Sequence, residues 1–232
     1  MSQIHHEPHR RFALSDIILG GQDGLVNVLG VILGVAAATS DQRIILAAGL
    51  AATFAESISM AAVAYTSTLA DADYYRAERE RETWEIENTP EKEKQEVREI
   101  YEKKGFKGKI LDEIVSTITS DRKIWLSVMM NDELSLQPVG SKRALRSGII
   151  VGLSATAGSF VPLLPFFFFN VSSSAIIAIV FTAIVLFGVG AYKAKITVGY
   201  WYKSGLQMMI IGMVSALVGY FIGSLFKSPV TP

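Results

Sequence analysis

The sequence contains no cysteine. That absence excludes disulfides, iron–sulfur clusters and thiolate metal sites, so any metal must be held by oxygen, thioether or imidazole ligands. Imidazole is scarce as well. The three histidines, His5, His6 and His9, all lie near the N-terminus and none stands in an ExxH pattern, which argues against a ferritin-type di-iron oxidase. GxSxG, Walker A, GxGxxG and HExxH motifs are missing too, so no hydrolase, nucleotide-driven pump or zinc protease is indicated. Charge is absent from most of the chain: 29 of its 44 charged residues fall between Asp71 and Glu133. That segment carries 12 Lys and Arg against 17 Asp and Glu, the wrong balance for a nucleic-acid surface.

Half of the 232 residues are hydrophobic, and the mean hydropathy is +0.34. Apolar residues gathered around one charged block are the pattern of membrane helices plus a solvated domain. Five stretches are long enough to cross a hydrocarbon core of roughly 20 helical residues. They run from about Ile17 to Ala38, Ile44 to Ala70, Ala144 to Phe169, Ser172 to Tyr192 and Ser204 to Phe226. The first lacks a small-residue cleavage site and reads as a retained helix, not a signal peptide. The expected fold is therefore an all-α integral membrane protein: a tail over 1–14, spans one and two over 15–70, a helical insert over 71–138, and spans three to five over 139–232.

Lys and Arg in the short flanking segments set the expected orientation, since positive loops stay in the cytoplasm. Arg10, Arg11, Lys142, Arg143, Lys193, Lys195 and Lys203 fall on one side, against Arg43 and Lys227 on the other. The N-terminus and the insert are thus expected in the cytoplasm and the C-terminus outside. Within the insert, no Pro or Gly separates Gly49 from Pro90, so span two should continue into the first insert helix. Thr89 is a candidate N-cap with Pro90 at the first helical position. Gly105 and Gly108 end the next helix. A third should cover Lys109 to Thr119, and a fourth should run from a Ser120 cap to Leu136.

Within the spans the charged residues are Asp23, Glu56 and Arg146, the last close enough to an end to snorkel. A carboxylate at the bilayer centre costs on the order of 2.5 to 3.5 kcal/mol, which makes Asp23 and Glu56 functional candidates. Asp23 shares a helix face with Asn27, Gly30 and Gly34; the alternative is a carboxyl that only bonds a neighbouring helix beside glycines that only pack. Glu56 and Met60 lie four apart, with Thr53 and Ser59 close by on the same face. A hard oxygen beside a thioether suits a borderline divalent ion better than Mg²⁺ or Ca²⁺, although a Met in an apolar helix is more often packing material. In the insert the acids form i, i+3 pairs, Glu82 with Glu85 and Glu93 with Glu96, on helices joined at Pro90. Met129, Met130 and Glu133 follow on the fourth helix. Four converging carboxylates would need cations; the other reading is a solvated, salt-bridged stalk, because basic residues interleave the acids.

Together GGQDGLVNVLGVILGV, AESISMA, ERETWEIENTPEKEKQEVREIY, MMNDEL and GSFVPLLPF, in that order between Ser15 and Phe226, resemble the vacuolar iron transporter family of plants, yeast and prokaryotes. The resemblance implies a homodimer of five-span subunits with a metal path between the first helices. It implies proton-coupled antiport of Fe²⁺, with Mn²⁺ and other divalents accepted, out of the cytosol. It also implies that Asp23, Glu56 and Met60 line the path, and that Glu82, Glu85, Glu93, Glu96, Met129, Met130 and Glu133 form a cytoplasmic metal site. No prosthetic group is expected; the metal is cargo. The membrane would be the cell membrane of a prokaryote or a vacuolar membrane. A membrane-anchored metal sensor or scaffold is the rival from another class, and a ferroxidase a more distant one.

Overall fold

The computed structural model describes residues 8–138, 140–197 and 199–226. His5, His6 and Lys227 lie outside the described residues, as do the side chains of His9, Arg10 and Arg11. The described residues are helical throughout, with no strand among them: α1 (Pro8–Ala38), α2 (Gln42–Asn88), α3 (Pro90–Lys103), α4 (Gly108–Ser120), α5 (Arg122–Val128), a π-turn (Met129–Glu133), α6 (Ser141–Leu163), α7 (Pro165–Phe168), α8 (Val171–Ile196) and α9 (Trp201–Leu225). Five are long and apolar enough to cross a membrane: Ala13–Ala38, Gln42–Asn88, Lys142–Leu163, Val171–Ile196 and Trp201–Leu225.

Local sequence accounts for most boundaries, and four features depart from expectation. Helix α1 already includes residues 8–14, which the sequence pattern leaves as a tail. Span three ends at Leu163 instead of Phe169, because Pro165 has no N–H to continue the ladder. The carbonyls around that break still find donors. The Gln42 amide donates to the Phe166 and Phe169 oxygens, and the Ser174 hydroxyl donates to Pro165 O at 3.0 Å. Such replacement matters where no water is available to hydrogen-bond the backbone. In the insert, Ser120 closes α4 and does not open the next helix; Asp121 is the cap, accepting from the backbone N–H of Lys123 at 2.7 Å and Ile124 at 3.2 Å. Thr89 stands before Pro90 but makes no capping bond, and its hydroxyl donates instead to Glu85 O at 3.0 Å.

The chain forms two compact units. One contains α1, α2 as far as Tyr65, and everything from Leu145 onward; the other is Thr66–Ala144. The core of the first gathers Val28, Leu29, Ile32, Ile45, Leu163, Phe166, Ala178 and Ala216. Its helices approach through small residues, as they do where hydrocarbon offers no hydrophobic drive to association. A methyl added at Gly24 would run into the Ala155 carbonyl of α6, and one at Gly223 into the Gly34 carbonyl of α1. The spacings Gly20-x-x-x-Gly24 and Gly30-x-x-x-Gly34 are therefore taken up inside one chain, against α6 and α9 respectively. The core of the second unit is Ile86, Val97, Leu111, Val115, Ile118, Trp125 and Met129.

Gly24→Val should lower the thermal midpoint of the detergent-solubilised protein, followed by circular dichroism, because overpacking costs about 1–3 kcal/mol. Gly21→Ala, whose added methyl would meet Ser154 O at 3.8 Å, should leave the midpoint unchanged.

Candidate metal centre

In the second unit, α2 and α3 meet at the Asn88–Pro90 turn and set the two acidic pairs against each other. Ligand oxygens of Glu82, Glu85 and Glu93 lie within 4.8 Å of one another. Glu82 is 1% exposed and Glu93 fully buried, a position carboxylates rarely take without compensation. Compensation from the protein is incomplete. Arg81 reaches Glu82 Oε1 at 3.1 Å, and Lys92 reaches Glu96 at 3.0 Å but stands 3.8 Å from Glu93 Oε1. Glu82 Oε2 and both Glu93 oxygens have no hydrogen-bond partner.

That imbalance appears in the proton affinities. Burial first, then the charges of Glu96, Glu82 and Glu85, push the Glu93 carboxyl up to about 7, with Lys92 opposing. Burial followed by Glu85 raises Glu82, and burial followed by Glu96 and Glu82 raises Glu133, so Glu133 belongs to the same electrostatic cluster. A divalent cation would supply what these groups lack, since it stabilises the ionised form that burial disfavours. The donor set of carboxylate oxygens fits such an ion.

The methionines divide. Met129 packs into the apolar core with Val97 and Trp125, whereas Met130, 2% exposed, lies outside that cluster. Glu133 keeps much of its surface in solvent while its carboxyl end is partly desolvated beside the acidic cluster, so it does not share the fully buried surroundings of Met129. A π-turn interrupts the helix here: Leu134 N bonds Met129 O at 3.1 Å, one residue further back than in an α-helix. Sequence spacing gave no sign of it. Nor did it single out the contacts that fix the turn. Lys104 Nζ sits 2.7 Å from Asp132 Oδ1 and 4.7 Å from the Tyr101 ring centre, and the Tyr101 hydroxyl donates to Asp132 Oδ2 at 3.4 Å. The end of α3 thus grips the middle of the π-turn, between Met130 and Glu133.

The first unit holds a second oxygen cluster. Asn27 of α1 donates from Nδ2 to Glu56 Oε1 of α2 at 2.8 Å, and the Asp23 carboxyl lies beside Glu56. Asp23, Glu56 and Met60 are all half-buried. Asp23 lies ten residues into its candidate span, about 15 Å along the helix. Thr53 does not join them: it is fully buried and its hydroxyl donates to Gly49 O at 2.8 Å.

The chain is similar to known proteins over most of its length. The VIT family model matches residues 14–224. "Vacuolar iron transporter 1" of rice is 32% identical over 93% of the chain and 88% of its own length. The Arabidopsis thaliana protein of the same name is 30% identical over 97% and 92%. "Vacuolar iron transporter" of Plasmodium berghei is 31% identical over 93% and 82%.

The sign of the pH dependence follows from Glu93. Its folded-state pKa near 7 exceeds the unfolded value of about 4.3, so the stability it contributes without metal is present at pH 4 and lost as pH rises through 7. Melting followed by tryptophan fluorescence should give a lower midpoint at pH 8 than at pH 6 in chelator. Added metal should reverse the order, and Glu93→Gln should flatten both trends. Metal affinity should rise about tenfold per pH unit below 7 for each proton displaced, as measured by titration calorimetry.

Proposed function

Because the chain belongs to the VIT family, we propose that it carries Fe²⁺ across a membrane, out of the cytosol, in exchange for protons. The observation that carries this reading is the Asp23, Asn27 and Glu56 cluster between two membrane-spanning helices. A membrane anchor has no use for carboxyl groups at that depth, whereas a transporter needs them to replace the ion's lost water. Met60, one turn from Glu56, adds a thioether that suits Fe²⁺, Mn²⁺, Co²⁺ or Zn²⁺ over Mg²⁺. A metal ion and a proton exclude each other at one carboxyl group, and that exclusion at Asp23 or Glu56 is the coupling step.

Glu82, Glu85, Glu93, Glu96, Glu133 and Met130 capture the metal before transport, with Met129 supporting Met130 from the core. Capture from dilute solution is their contribution, and translocation belongs to Asp23, Glu56 and Met60. The basic flanks favour a cytoplasmic N-terminus and insert.

Two subunits complete the path. Asn27 is exposed on α1, and the part of its amide that does not bond Glu56 would face lipid without a partner. A second α1 across a two-fold axis would cover that strip and enclose the ion. The absence of cysteine makes this easy to test, because Val31→Cys, one turn on and exposed, introduces the chain's sole thiol. Bismaleimide treatment in membranes should convert the variant to a covalent dimer, while Ile184→Cys on α8 should stay monomeric.

Fe²⁺ flux into proteoliposomes, with a pH-sensitive dye in the same vesicles, tests the whole reading. Wild-type protein should couple metal entry to proton exit. Asp23→Asn should reduce flux at least about tenfold, the effect of losing roughly 1.4 kcal/mol or more of ion stabilisation, while metal binding to the insert persists. Glu93→Gln should raise the half-saturating Fe²⁺ concentration and leave the maximal rate nearly unchanged. Metal binding without flux in the wild type would favour a sensor or scaffold.

A further inference from the structure

A groove of about 410 Å³ runs between α1, α6 and α8, with Ile17, Gly21, Gly158 and Gly188 among its walls. Its lining is apolar except for Gln22, Ser154 and the Tyr192 hydroxyl. Along α1 it extends from Leu14 to Leu25, about 16 Å at 1.5 Å per residue. That is half of a hydrocarbon core of roughly 30 Å, the depth of one leaflet. A Cβ built at Gly188 meets nothing within 4 Å, so the α8 wall there is bare backbone. The occupant that fits a one-leaflet apolar slot in a membrane-spanning unit is a lipid acyl chain.

The end of the slot supplies a headgroup contact. On α8 the lining positions Val185, Gly188 and Tyr192 lead at the next turn to Lys195, with Lys193 beside it. Both lysines are exposed, and no ion pair joins either to an acid among the described residues. No Asp or Glu follows Glu133 in the sequence, and Asp16, next to the lining residue Ile17 on α1, forms no ion pair with either lysine among the described residues. Lysines beside an apolar slot between membrane helices recognise phosphate headgroups.

We propose that this groove and the lysines at its end hold one anionic phospholipid, its acyl chain in the slot and its phosphate on Lys193 and Lys195.

The test uses the full-length protein in nanodiscs of equal phosphatidylcholine and phosphatidylglycerol, with retained lipids counted by native mass spectrometry. Wild-type protein should keep phosphatidylglycerol over phosphatidylcholine by about fivefold or more. Lys193→Gln with Lys195→Gln should bring that ratio to about one, and Gly188→Phe should lower retained lipid of both kinds severalfold with unchanged helical circular dichroism. Equal retention of the two lipids by the wild type overturns the proposal, as does a preference that survives the lysine substitutions or a Gly188→Phe protein that folds and keeps its lipid. A Gly188→Phe protein that loses dimers but keeps lipid makes the groove a contact between copies, which also overturns it. If Gly188→Phe fails to fold, the exposed lysine pair still decides the outcome.

Discussion

A carboxylate taken out of water has to be matched by a proton, a fixed cation or a bound metal, and the burial of Glu82 and Glu93 imposes that requirement on the whole insert. Arg81 and Lys92 meet only part of it, each holding one edge of the cluster. Fuller neutralisation by protein cations would abolish any affinity for a mobile ion, and weaker neutralisation would prevent the helices from closing. The intermediate state leaves three unpartnered oxygens and a carboxyl group that titrates near neutrality. A group in that condition would give up its proton readily to a bound cation, which would suit reversible capture better than storage.

The membrane unit answers a different constraint. Hydrocarbon surrounds it, so helix contact comes from close approach and from polar groups that find each other. Gly24 against Ala155 and Gly34 against Gly223 bring backbones together on two sides of α1, and Asn27 ties it to α2 through Glu56. Helix α1 is thereby fixed by α6, α9 and α2, with its polar strip held in one orientation. The side chains that would handle an ion thus sit on a helix with little freedom to tilt.

Much of this was legible in the sequence because membrane spans and acidic pairs are patterns of composition and period. Five spans, the unbroken α2 and the glycine punctuation at Gly105 and Gly108 follow from hydropathy, from the lack of breakers and from positive φ at both glycines. The two i, i+3 pairs marked four acids that could converge or line a salt-bridged stalk; the oxygens of Glu82, Glu85 and Glu93 come together, while Glu96 pairs with Lys92. What stayed hidden depends on single hydrogen bonds and on competition between neighbours. Ser120 and Asp121 are both good caps, and only the structure shows which one accepts from Lys123 and Ile124. Gly20-x-x-x-Gly24 promises a close helix contact without naming the partner, and the partner is α6 of the same chain. Asn27 lies on the Asp23 face in any helical reading, but its bond to Glu56 depends on the register between α1 and α2. The π-turn that carries Met129, Met130 and Glu133 is a backbone irregularity that no periodicity announces.

That irregularity sets a rule of chain length. A π-turn accommodates one residue more than the α-helical turn it replaces, so the stretch from Met129 to Glu133 behaves as a one-residue insertion confined to a single turn. Removing Asn131 would let the segment revert to a regular helix and rotate everything after it by about 100°, the angle of one residue at 3.6 per turn. Asp132 would leave Lys104, and Glu133 would turn away from Glu96. The spacing between Trp125 and Leu136 is therefore as much a part of the candidate metal centre as its side chains, and a conservative substitution there would be tolerated more readily than a change in the number of residues.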